Sequence, residues 1–119
     1  MFVKTRNYDK AIQKVRIEVG TYVGLEKDDE AFLILKELPT ADMLKLKDTN
    51  GGNTETLTFF KEVMPHIIVD HNFYETEQKK MKNEDVVEFI FEKFDLCTKV
   101  LSDYSNASFF TQRKGKEGK

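Results

Sequence analysis

The sequence predicts an α+β protein, with an N-terminal β-hairpin or small antiparallel sheet followed by a mainly helical C-terminal half. Three observations predict this class. Apolar and polar residues alternate near the start of the chain, turn residues interrupt its middle, and apolar residues recur at helical spacing near its end. The 119 residues fit a single domain. We assign that domain to residues 1–112 and expect residues 113–119 to form a flexible basic tail.

The predicted hairpin begins with a strand in which Val15, Ile17 and Val19 alternate with polar residues. A charged stretch, residues 26–30, separates this strand from a second β-rich run at residues 31–36. We therefore expect a hairpin with a turn of about five residues, and two or three strands in all.

Two shorter helices are expected after the hairpin. The first begins at Thr40, which can cap it, and continues through Leu46. A loop rich in turn residues follows at residues 48–53. The next segment, residues 54–71, is interpreted as a helix and a turn. Pro65 should bend or split that helix, because proline lacks an N–H and clashes with the preceding turn.

One long helix is expected near residues 83–104, after a polar linker at residues 75–82. Asn83 is the predicted N-cap, and Glu84 and Asp85 in the first turn offset the positive end of the helix dipole. The apolar positions of this segment keep helical spacing: Val86, Phe89, Ile90, Phe94, Cys97, Val100, Leu101 and Tyr104.

The apolar stripe of the long helix is wider than one side, because Val87, Phe91 and Leu96 extend it. Such a width implies either contact with two neighbouring elements or a surface for a partner. Beyond the helix, Phe109 and Phe110 adjoin the basic tail and have the character of an interaction hook. We therefore take these five residues as candidate partner-binding residues.

Catalytic chemistry has little support in the sequence. The clustered candidate metal ligands are His66, Asp70 and His71. On a helix the first two would share a face, whereas in a turn Asp70 would hydrogen-bond to local backbone. No nucleophile elbow, phosphate-cradling loop or H-E-x-x-H motif occurs. The single cysteine, Cys97, fits a small apolar position on a helix face. We predict a binding protein rather than an enzyme, with no metal and no cofactor.

The composition also argues against a membrane or nucleic acid as a partner. The longest apolar runs are far below the ~20 residues of a spanning helix, and the N-terminus lacks the apolar region of a secretory signal. We expect a cytoplasmic protein that does not bind a membrane. The formal net charge is −2. A short glycine-containing basic tail is more typical of a solvated terminus than of a nucleic-acid site.

Two parts of the sequence resemble a known family. The first is the run Phe32-Leu33-Ile34-Leu35-Lys36-Glu37-Leu38-Pro39-Thr40-Ala41-Asp42. The second is Ile68-Val69-Asp70, then His71 to Phe73, then the capped helix that begins Asn83-Glu84-Asp85-Val86. In type and order, residues 15–106 are similar to the tail assembly chaperones of long-tailed phages and of prophages.

The resemblance implies a protein that binds the tape measure protein and helps to recruit tail tube protein in the bacterial cytoplasm. It implies no cofactor, and self-association stays open. Two alternatives remain at this point. A head–tail connector would form a stable ring through the hairpin edge, and a small metal-dependent enzyme would use His66, Asp70 and His71.

Overall fold

The computed structural model describes residues 1–26, 28–47 and 54–107. The predicted loop at 48–53 and the predicted tail at 113–119 lie outside these residues. In the described parts the elements follow in this order: α1 Lys4–Ala11, β1 Lys14–Glu18, a 3₁₀-helix Gly20–Val23, β2 Phe32–Lys36, α2 Thr40–Lys47, α3 Thr54–Ile67, β3 Ile68–His71, β4 Tyr74–Thr76, β5 Lys79–Lys80, α4 Asn83–Ile90 and α5 Phe94–Ser105. A small antiparallel sheet with a mainly helical second half confirms the predicted α+β class.

Strand β2 lies at the centre of a sheet that, in the described residues, has the order β1-β2-β3 with both pairings antiparallel. The predicted alternation decides which face is buried. Ile17 lies opposite Leu33 in the register, and both side chains are almost fully buried. Arg16 lies on the other face, where its guanidinium sits over the Phe32 ring. The sheet therefore has one face in the core and one that is largely solvated.

The connection between β1 and β2 is longer than the predicted five-residue turn. The strand ends at Glu18, and residues Gly20–Val23 form a 3₁₀-helix. Gly24 closes it with a φ of 83°, a left-handed backbone conformation that favours glycine. The expectation of a short charged turn is therefore wrong, because glycines end the alternating pattern before the charged residues begin.

The third strand comes from residues that the sequence placed in a bent helix and turn. Helix α3 continues through Pro65 to Ile67, and the backbone then extends into β3. Pro65 does not split the helix: it lies in the last turn, and the helix ends two residues later at Ile67. The expected turn at His71 is instead the end of a strand that pairs with β2.

The predicted long helix is two helices. Phe91 has φ −83° and ψ 0°, and Lys93 is extended with φ −120° and ψ 119°, so the helix ends at Ile90 and a new one begins at Phe94. Residues 91–93 form a tight turn, since the Lys93 N–H donates to the Ile90 carbonyl three residues earlier. This break lets both halves of a wide apolar stripe face the core.

The predicted polar linker at 75–82 contains a small hairpin, in which β4 pairs with β5. Its residues are exposed. Asn83 follows, but it is the first helical residue of α4 rather than its N-cap. Its side-chain amide donates to the carbonyls of Pro65, at 3.3 Å, and Ile68, at 3.2 Å. Asn83 therefore satisfies carbonyls where α3 ends and β3 begins.

The core joins the inner face of the sheet to α3, α4 and α5. The ring of Tyr104 lies 5.6 Å from that of Phe60, and its hydroxyl donates to the Lys36 carbonyl at 2.8 Å. Helix α1, which had no assigned structure, has no buried residue among those described. In the described residues, no helix has the length and apolar content needed to cross a membrane.

Candidate partner-binding surface

The turn between α4 and α5, which we call the elbow, carries an exposed aromatic surface bordered by carboxylates. We define the elbow patch as Glu88, Phe91, Glu92, Phe94 and Asp95. The elbow exists because the chain leaves the helical conformation for three residues and then resumes it. Glu88, Glu92, Phe94 and Asp95 are exposed, and Phe91 is half-buried.

Phe94 is the most prominent member of the patch. Its side chain is 70% exposed, more than any other large apolar residue of the described chain except Met1. Its backbone is nevertheless held in place, because its carbonyl accepts hydrogen bonds from Thr98 Oγ1 at 2.9 Å and from Cys97 Sγ at 3.4 Å. An aromatic side chain on a fixed backbone loses little conformational entropy when it binds a partner.

The Cys97 thiol lies beneath this surface rather than on it. Cys97 is buried, and burial raises the pKa of its thiol above the ordinary value. The sequence-based interpretation of Cys97 as a small apolar residue therefore agrees with its position. The thiol supports the backbone of Phe94, and its raised pKa makes it a poor nucleophile.

Phe91 connects the patch to the core. Its half-buried ring lies 6.3 Å from that of Phe60, while the Lys61 ammonium stands 6.0 Å from its centroid on the solvent side. Lys61 also pairs with Glu88 at 3.8 Å. A cation over an aromatic face is attracted by the negative face of the ring. Phe91 thus lies beside charges of both signs.

Carboxylates dominate the charge around the elbow. Asp95 pairs with Lys93 at 3.6 Å, and this exposed pair contributes little to stability. Glu92 is exposed, and within the described part of the chain it forms no ion pair. The patch therefore combines an exposed aromatic ring, a half-buried ring and an excess of negative charge.

The structure divides the sequence-predicted partner-binding residues into three groups. Val87 is 2% exposed and Leu96 is 0% exposed, so both belong to the core. They widened the stripe because they contact neighbouring elements, the first of the two explanations left open. Phe91 does lie in the surface patch, and Phe109 and Phe110 lie outside the described residues.

Phe94 was missed because a continuous helix would place it on the same buried face as Ile90 and Cys97. After the break at 91–93, α5 begins at Phe94, and its buried residues are Leu96, Cys97, Val100, Leu101 and Tyr104 but not Phe94. The break at residues 91–93 contains no glycine or proline, so it has no recognisable signal in the sequence.

The three candidate metal ligands do not converge. Asp70 pairs with Lys80 at 2.9 Å, which lowers the pKa of its carboxyl group, with help from the His71 N–H. The buried His71 accepts a hydrogen bond from the Phe73 N–H through Nδ1 at 3.0 Å. Among the described residues, no group of three or more histidine, cysteine, aspartate or glutamate residues could hold a metal ion.

A cleft of about 320 Å³ lies between α1 and the chain that follows β2. Tyr8 and Ile12 line one side of it, and Leu38 and Pro39 line the other. Glu37 also lines the cleft, but its carboxylate accepts the backbone N–H of Gln13 at 2.9 Å. That carboxylate thus fixes the junction of α1 and β1, and it is already engaged with the backbone.

Comparisons with known proteins return no relatives: no protein-family model, no curated protein and no solved structure matches this chain.

Proposed function

We propose that this chain is a tail assembly chaperone of a long-tailed phage or prophage. In this role it binds the tape measure protein and assists assembly of the tail tube in the bacterial cytoplasm, and it acts as a binding protein rather than an enzyme. The resemblance in residues 32–42 supports the proposal, and these residues form strand β2 and the start of helix α2.

The single observation that carries the binding role is Phe94. An aromatic side chain that is 70% exposed on a fixed backbone contributes little to the stability of the fold, because it buries little apolar area. Exposed aromatic residues with fixed geometry are typical of the anchors of protein interfaces. A long helical client offers many successive segments to such an anchor.

The test is co-expression with the tape measure protein encoded in the same genome. We expect the two proteins to co-purify, and we expect the tape measure protein to be less aggregated than when it is expressed alone. A long helical protein of similar size from an unrelated source serves as the control. Failure of the tape measure protein to co-purify at high expression of both partners would contradict the proposal.

A further inference from the structure

We propose that the elbow patch recognises a helical segment that carries both basic and apolar side chains. This inference rests on the proposed function, because it assigns a chemistry to the segment of the client that the patch binds. The occupant is therefore a basic amphipathic helix of a partner protein.

A row of carboxylates leads along α4 to the elbow. Glu84 and Glu88 are four residues apart within α4, which places them on one side of the helix, about 6 Å apart along its axis. Glu92 follows in the turn at residues 91–93. Val86 and Ile90 face the core from the other side. Glu84 and Glu92 form no ion pair within the described residues, and Glu88 has the single contact with Lys61 at 3.8 Å.

Residues 83–98, which include the elbow, are more acidic than the chain as a whole. Residues 83–98 contain five carboxylates and one lysine, a formal charge of −4, whereas the chain as a whole carries −2. A surface with an excess of negative charge attracts a partner segment of positive charge and raises its rate of association. A basic helix with cations at three- or four-residue spacing matches the four-residue spacing of Glu84 and Glu88 on α4.

Phe94 and Phe91 supply the apolar part of recognition. Phe94 offers an exposed face to an aliphatic side chain or to the cation of a lysine or arginine. Phe91 is already approached by Lys61 at 6.0 Å, so a cation over an aromatic ring is part of this surface. An acidic helix and a purely apolar helix both lack the cations that match the carboxylates. The patch should therefore bind each of them more weakly than a basic amphipathic helix.

The first experiment measures binding of labelled model peptides to the full chain by fluorescence anisotropy. One peptide of about 18 residues, long enough to be helical in water, combines leucine and lysine in an amphipathic pattern. Its control replaces each lysine by glutamate. We expect binding of the lysine peptide that weakens as salt rises from about 50 mM to about 500 mM, and no binding of the glutamate peptide.

Variants test whether the lysine peptide binds at the elbow patch. Phe94→Ala should weaken binding of the lysine peptide roughly tenfold, as for an interface anchor, and Glu92→Lys should weaken it about fivefold, as for reversal of an exposed charge. Glu77→Lys makes the same change of charge in the β4–β5 hairpin, near the other end of α4, and should leave binding close to wild type. Equal effects of Glu92→Lys and Glu77→Lys, or no effect of Phe94→Ala, would overturn the proposal.

A second readout identifies the occupant. Because the chain contains no tryptophan, Phe94→Trp places a single fluorophore in the patch, and its emission should shift to shorter wavelength when the lysine peptide binds. A shift that follows protein concentration without peptide would show that a second copy covers the patch, and this would overturn the assignment to a client helix.

The two proposals fail separately. If the tape measure protein co-purifies but the lysine peptide does not bind, the chemistry assigned to the patch is wrong and the chaperone role stands. If the peptide binds at the patch but the tape measure protein does not co-purify, the chaperone role is wrong and the basic-helix site stands.

Discussion

Tyr104 joins the end of the last helix to the central strand. Its ring packs against Phe60, and its hydroxyl donates to the Lys36 carbonyl at 2.8 Å. Burial raises the pKa of this hydroxyl well above its usual range, so it stays a neutral donor at any ordinary pH. We expect Tyr104→Phe to lower the free energy of unfolding by about 1 kcal/mol, because the aromatic packing is kept and the hydrogen bond is lost.

Urea unfolding followed by circular dichroism measures this change. Tyr74→Phe is the matched control, since the Tyr74 side chain is exposed and its hydroxyl already meets water. A Tyr104→Phe variant as stable as the Tyr74→Phe control would show that the bond to Lys36 contributes nothing.

His71 makes stability depend on pH. Burial is the main cause that lowers the pKa of its imidazole below 6.5, and the nearby Lys80 lowers it further. The unfolded chain binds a proton near pH 6.5, whereas the folded chain resists protonation until a lower pH. The contribution of His71 is therefore complete above pH 6.5 and is lost as the pH falls below it.

We expect the free energy of unfolding to fall as the pH is lowered from about 7 to about 5. His71→Asn, which keeps an acceptor for the Phe73 N–H, should reduce this slope, and His66→Gln at an exposed position should retain it. Urea unfolding at several pH values gives the slopes. Equal slopes for wild type and His71→Asn would contradict the role assigned to His71.

At the scale of elements, Asn83 couples the start of α4 to the end of α3. Its amide donates to the carbonyls of Pro65 and Ile68, a role that needs an N–H group. The sequence predicted an N-cap, which would need only an acceptor oxygen. The substitution Asn83→Asp separates these roles, because aspartate keeps the acceptor and removes the donor.

We expect Asn83→Asp to lower the free energy of unfolding by about 1–3 kcal/mol, since it places a carboxylate against two carbonyl oxygens. Thermal unfolding by calorimetry measures it. Glu84→Gln, one position later on an exposed side chain, is the control and should change stability by at most about 0.5 kcal/mol. An unchanged melting temperature in Asn83→Asp would favour the N-cap role instead.

The residues on either side of the elbow show which buried positions the periodic pattern of apolar residues predicts and which it does not. The spacing of apolar residues correctly predicted that Ile90 and Tyr104 are buried. It wrongly placed Phe94 on the buried face and assigned Leu96 to a partner surface, because the break at residues 91–93 contains no glycine or proline and leaves no local signal. Local propensity also placed Ile68 and His71 in a helix and turn, whereas pairing with β2 makes them a strand.

The contrast between buried Leu96 and exposed Phe94 gives a prediction for stability. Leu96→Ala should lower the free energy of unfolding by about 2–5 kcal/mol, as expected for a fully buried leucine. Phe94→Ala should change it by less than about 0.5 kcal/mol, because its side chain is mostly in water. Chemical unfolding of both variants tests the position of the break, and a large loss in Phe94→Ala would support a continuous helix.

At the scale of the whole molecule, a small core covers one face of the sheet and leaves the aromatic residues of the elbow patch at least partly exposed. The fold class was readable from alternation and helical spacing, since both patterns report which side of an element is buried. The proposed partner surface could not be predicted in the same way. Its exposure depends on how α4 and α5 meet, which is a property of tertiary packing and not of any local sequence.

The most direct test of the binding role is the dissociation constant of the tape measure protein for wild type and for Phe94→Ala. We expect Phe94→Ala to weaken binding roughly tenfold or more without a change in the fold. Leu44→Ala is the matched control, because Leu44 is a 52% exposed apolar residue on α2 that is not part of the elbow patch, and it should bind as wild type does. Binding by Phe94→Ala that is as tight as by wild type and Leu44→Ala would show that the elbow patch is not where this protein meets its client.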